Sequence, residues 1–110
     1  MSLEETNMRF QKITAIISLT AVDKVCQALK HADVTWIAAS QQRGHGEHPI
    51  YSERHCMSSC MHIEIFIEKE KVKEIVDLLG RTAYEGEESE GMIAVETVDD
   101  LIPIKEFKDK

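Results

Sequence analysis

Long apolar runs are missing from this sequence. None approaches the roughly 18 to 20 residues that span a bilayer. The opening decapeptide, MSLEETNMRF, is acidic and lacks a basic stretch followed by an apolar one, so it is not read as a secretory signal. A cytoplasmic location is the expectation. Positive charge is also scarce: 13 Lys and Arg face 20 Asp and Glu, a net charge of −7. That deficit excludes broad nucleic-acid binding, which depends on neutralising phosphates. It leaves room for one phosphate-bearing ligand held by backbone amides. Only three cysteines occur, Cys26, Cys56 and Cys60, and an odd number does not suggest a disulfide framework. Trp36 is the single tryptophan and is expected to anchor packing or a subunit contact.

What remains is an ordinary globular composition, 43% hydrophobic and 30% charged over 110 residues. It predicts one domain, residues 1–110, with one core. Residues 1–9 are polar and expected to be flexible. Residues 10–18 (FQKITAIIS) are rich in β-branched side chains and read as a central strand. Thr20, with Asp23 three residues on, has the spacing of a capping box. Val22, Val25, Leu29 and Ala32 then fall on one face of a helix over 21–32, with Cys26 a small core residue. Residues 34–42 read as a second strand. In 61–67, Ile63, Ile65 and Ile67 alternate with His62, Glu64 and Phe66, the clearest strand pattern in the chain. Residues 69–80 form the clearest helix, ending at Gly80 or running on through 81–83. A fourth strand is expected at 92–98, and a short edge strand at 101–105, where Pro103 forbids a central position.

This order is β-α-β-loop-β-α-β plus a short final strand. It predicts an α+β, ferredoxin-like βαββαβ domain: a four-stranded antiparallel sheet with both helices on one face. The other sheet face would be left bare, which points to an oligomer.

Two segments are too polar and too broken for core. The first, residues 43–60 (RGHGEHPIYSERHCMSSC), lies between strands two and three. The second, residues 84–91 (YEGEESEG), precedes strand four. His45, His48, His55, Cys56, Cys60 and His62 supply six nitrogen and sulfur donors of the kind zinc and copper use, at a spacing that fits no established finger. Chance histidines in a polar loop are the plainer reading. Cys56 and Cys60 are also a candidate switchable disulfide, favoured by an exposed loop and opposed by a reducing cytosol. No catalytic residue is assigned. Ser58 and Ser59 lie near His55 and His62 without a nucleophile elbow. Glu64, Glu87, Glu88 and Glu90 form no acid–base pair that spacing justifies.

The run KITAIISLTAVDKVCQALKHADVTWIAASQQRGHGE, then HIEIFIEKEKVKEIVDLLGRTA and the loop ending EGMIAV, resembles the PII signalling family and its shorter PII-like relatives. The resemblance covers residues 12–105. It implies the same fold, a homotrimer, and an adenine nucleotide bound in clefts between subunits. It implies a regulatory role rather than an enzymatic one, with residues 43–60 as the loop that meets a target protein and 84–91 as a second, phosphate-side loop. By this resemblance Ile37 and Ala38 lie where the adenine is read. Gly44, His45 and Gly46 match a Gly-aromatic-Gly against the nucleotide, where glycine lets backbone approach a phosphate. Ser89, Glu90, Gly91 and Met92 match the second loop, and Lys105 a basic position near the C-terminus.

The departures carry information. Ala38 replaces a threonine, Met92 a lysine, Ser89 a glycine and Glu47 an arginine; of two arginines near the C-terminus, one position is Pro103 and the other Lys105. A triphosphate brings about four negative charges that need cationic partners or a metal. With those cations gone and Glu87, Glu88 and Glu90 close by, ADP or AMP is expected to be preferred over ATP. Tyr51 is no counterpart of the family's modified tyrosine, so uridylylation is not expected, and 2-oxoglutarate sensing through metal-bound ATP is not expected either. Relatives with such reduced sites occur beside inorganic-carbon transport and carboxysome genes, and some respond to bicarbonate or cyclic AMP. The resemblance therefore extends to bicarbonate as a second effector, with Arg43 and Arg54 as candidate anion ligands. Their plainer reading is two solvated arginines. Other PII-like branches are associated with heavy-metal efflux, which keeps the metal-responsive alternative open.

Overall fold

The computed structural model describes residues 9–42, 60–87, 89 and 91–108. Within them the elements run in chain order as β1 (Phe10–Ser18), α1 (Val22–His31), β2 (Ile37–Gln42), β3 (Cys60–Glu68), α2 (Val72–Ala83) and β4 (Gly91–Thr97). The strands form one antiparallel sheet in the order β2-β3-β1-β4. This is the ferredoxin-like α+β arrangement that the spacing of apolar residues predicts.

Register decides which side chains meet. Ile13 pairs with Ile65 and Val95, and Ala15 with Ile63 and Ile93, so these positions share one sheet face. Val25 and Leu29 of α1 and Ile75 and Leu79 of α2 close over that face, and both helices therefore lie on the same side. Ile13, Val25, Leu29, Ile63 and Ile65 are completely buried. Each such side chain contributes about 1.5–3 kcal/mol through removal from water. The opposite face carries Lys12, Thr14 and Ile16 from β1, His62 and Glu64 from β3, and Ala94 and Glu96 from β4. There the Lys12 ammonium lies 3.4 Å from both Glu64 and Glu96.

Three expectations need correction. Residues 101–105 are not a strand. The chain enters a 3-10 turn at Ile104–Phe107 with Pro103 just before it. Pro103 has no N–H to offer a ladder, and its φ of −63° suits a turn entry. Thr20 does not cap the helix with its side chain. The chain leaves β1 through a 3-10 turn, Leu19–Ala21, and the Ser18 hydroxyl accepts the Thr20 N–H at 3.2 Å. Helix α1 starts without a side-chain cap. Finally, β2 begins at Ile37 rather than at 34. Ala32 and Asp33 form the exit from α1, Asp33 takes a left-handed φ of 61°, and the Val34 N–H returns to the Leu29 carbonyl at 3.2 Å. The helix exit thus consumes the residues that β-propensity assigns to the strand. At α2, Gly80 does not end the helix, which continues to Ala83.

Two glycines predict opposite outcomes. Gly91 has φ +118°, and a Cβ there would stand 2.0 Å from the Ile16 carbonyl oxygen. Gly91→Ala is expected to cost more than about 2 kcal/mol in urea denaturation. A Cβ on Gly80 meets nothing nearer than the Ile93 side chain at 3.9 Å. Gly80→Ala should stabilise by roughly 0.5–1 kcal/mol through helix propensity. A further prediction concerns Lys12. Burial alone lowers its pKa, but the hydrogen bond and charge of Glu64, joined by Glu96, outweigh this and raise it above the ordinary 10.5. A raised folded-state value stabilises fully below the unfolded lysine pKa and is lost as pH rises through the folded one. The stability gap between the protein and Lys12→Met should hold constant from about pH 7 to 9 and narrow above about pH 10.5.

Candidate functional site

The loop between α2 and β4 is built from both ends. Its first residue is held by the helix, where the Tyr84 N–H reaches the Gly80 carbonyl at 3.1 Å. Its last is held by the ladder, where Gly91 pairs with Ile17. Gly86, with φ +98°, makes the bend. Ser89 closes it: its N–H donates to the Gly86 carbonyl at 3.0 Å, and its hydroxyl accepts the Glu85 N–H at 2.5 Å. Gly91 then passes the β1 backbone so closely that no side chain fits. The ends of β1, α2 and β4 enclose a hollow of about 250 Å³ lined by Ile17, Gly80, Tyr84, Ser89, Gly91 and Met92. Its walls are mainly apolar.

The structure therefore brings Ser89, Gly91 and Met92 together at one corner. Ile37 and Ala38 stand elsewhere, on β2, where Ile37 pairs with Ile65 and Ala38 with Glu64. Both are exposed. Strand β2 is one edge of the sheet and β4 the other. Three strand spacings separate them, roughly 14 Å. Lys105 lies beyond β4 in the Ile104–Phe107 turn, also exposed. Gly44, His45, Gly46, Glu90, Arg43 and Arg54 lie outside the described residues, as do His48, His55 and Cys56.

Of the six candidate metal ligands, Cys60 and His62 are described. Cys60 is not an exposed loop residue. It opens β3 and is buried, packed against Ile16. That burial removes the exposure on which its redox role rests. His62 stands on the open sheet face with Nε2 3.8 Å from Glu64, and among the described residues that nitrogen has no hydrogen-bond partner. Among the described residues no group of three or more His, Cys, Asp or Glu converges as a metal site.

Two features escape sequence reasoning. A second hollow of about 220 Å³, lined by Phe10, Val34, Trp36, Phe66, Glu68 and Lys71, sits where the start of β1 and the end of β3 meet the segment between α1 and β2. Trp36 on its wall is 44% exposed, so it does not anchor the core of the single chain. The other feature is the engagement of Glu85. Thr20 donates its hydroxyl to the Glu85 carboxylate at 2.9 Å, and the Lys24 ammonium stands 3.7 Å away. Thr20 and Glu85 are 65 positions apart. No periodicity or local spacing announces such a pair.

Comparison with known proteins agrees with this fold. Residues 10–108 match the family model described as nitrogen regulatory protein P-II. The nitrogen regulatory protein P-II of Synechocystis sp. is 30% identical over 102 residues, covering 86% of this chain and 91% of that protein. The crystal structure of Arabidopsis thaliana PII bound to citrate superposes with a TM-score of 0.71 at 26% identity, covering 88% of this chain and 84% of the other. The match extends over the whole sheet and both helices, and the chain belongs to the nitrogen regulatory protein P-II family.

Proposed function

We propose that the protein is a non-enzymatic regulatory sensor that binds an adenine nucleotide, ADP or AMP in preference to ATP, in clefts between the subunits of a homotrimer. One observation carries this reading. The two groups of ligand-side positions, Ile37 with Ala38 and Ser89 with Gly91 and Met92, occupy opposite edges of the sheet. In one copy they lie roughly 14 Å apart across the sheet, and we read them as parts of two different clefts. Two neighbours in a head-to-tail ring complete each cleft, because the β4 edge of one then meets the β2 edge of the next. The open sheet face, with its charged Lys12–Glu64–Glu96 cluster, would turn toward the ring axis.

The preference for fewer phosphates follows from charge. The 84–91 loop carries four glutamates and no lysine or arginine. By the family resemblance, Met92 takes the place of a lysine. Each phosphate added without a cation costs attraction that a backbone cradle alone does not restore. Binding would order residues 43–60 and change which protein partner, a transporter or an enzyme, that segment meets. Bicarbonate is the second effector we propose, through Arg43 and Arg54, and the cytoplasm the location.

Calorimetry with AMP, ADP, ATP and cyclic AMP, each with and without bicarbonate, tests the ligand. ADP or AMP should bind at least about fivefold more tightly than ATP, a difference of about 1 kcal/mol. ATP binding as tightly as ADP would overturn the preference. Size-exclusion chromatography with light scattering should give a trimer, and a monomer would remove the cleft.

A further inference from the structure

We propose that Glu85 is a positioning residue that sets the path of the 84–91 loop by tying it to the corner between β1 and α1. Its carboxylate is not a free charge. The Thr20 hydroxyl lies 2.9 Å from each of its two oxygens, and the Lys24 ammonium 3.7 Å from one. Behind Thr20 stands Ser18, with 2.8 Å between the two hydroxyl oxygens. One proton assignment satisfies the set. Ser18 donates to Thr20, Thr20 donates to Glu85, and the Ser18 oxygen accepts the Thr20 N–H. Each link polarises the next, and the chain ends on an ionised acceptor, which makes it stronger than a neutral pair.

The tie matters because of where it sits. Between Tyr84 and Gly91 the described loop is held internally by Ser89 alone, through Gly86 and the Glu85 N–H. Those bonds shape the bend but do not aim it. The Glu85 side chain is the described loop contact that reaches across to another element. It thereby selects one placement of Ser89 and of the turn into Gly91 from the several that Gly86 permits. The affinity consequence rests on the nucleotide reading above; the ordering of the loop does not.

The two roles open to this carboxylate predict opposite signs. A bystander anion beside phosphates would repel them, and Glu85→Gln would tighten ADP binding. A tie predicts weakening, because the amide keeps the shape but loses the charge that Thr20 and Lys24 engage. Thr20→Val removes the donor without altering any charge. Both variants are expected to weaken ADP binding about tenfold by calorimetry, and the double variant to be no worse than either single one. Thr20→Ser, which keeps the hydroxyl, should restore binding. In the nucleotide-free protein, amide exchange at 86–91 should quicken about tenfold in Thr20→Val and Glu85→Gln while Leu29 and Ile65 stay protected. Unchanged exchange in Thr20→Val, or tighter ADP binding in Glu85→Gln, overturns the proposal. If the unaltered protein binds no ADP, the nucleotide reading fails instead, and the exchange measurement alone decides the tie.

Discussion

The order of the strands governs everything else in this molecule. With β1 and β3 inside and β2 and β4 outside, the central strands are buried by helices on one face and carry a cluster of charge on the other. The outer strands present edges. Ile13, Ala15 and Ile17 hold β1 in the core, and Gly91 must follow the β1 backbone at a separation that admits no side chain. The loop preceding Gly91 therefore starts from a fixed point. Its shape is limited further by Gly86, Ser89 and the engagement of Glu85. A rigid core thus delivers a short polar segment to one corner of the sheet. Packing energy is converted into the placement of backbone groups.

The open sheet face carries a different kind of information. Lys12 lies between Glu64 and Glu96, and His62 stands beside Glu64. In a single chain this cluster is partly hydrated, and each pair contributes little. Against a neighbouring copy the same charges would be desolvated, where pairing becomes obligatory and mismatches cost much more.

Much of the fold is legible in the residues. The alternation of Ile63, Ile65 and Ile67 locates β3 to within a residue at each end, because one face must be apolar and the other need not be. The stripe of Val25 and Leu29 does the same for α1. Local steric detail is what the pattern misses. The 3-10 entries to both helices, the left-handed Asp33 and the turn after Pro103 depend on backbone geometry that apolar spacing does not encode. The site is legible in part. Gly91 takes a left-handed φ of 118°, and Ser89 closes the bend on the Gly86 carbonyl. Thr20 has the spacing of a cap and instead donates its hydroxyl to Glu85, 65 positions away, a relation that only the folded chain creates. Cys60, read with the polar loop, belongs to the sheet. Tertiary proximity, not local propensity, assigns these roles.

Complementation between subunits tests most directly whether two copies share each ligand. Ala38→Trp would obstruct the β2 edge, and Ser89→Trp the loop beside β4. Neither variant alone should bind ADP. Rings formed by mixing the two contain one junction in which both contributing edges are intact, so ADP binding should reappear on subunit exchange. If the mixture stays as inert as its components, while each variant still assembles, the ligand is held within single chains and the shared cleft is wrong.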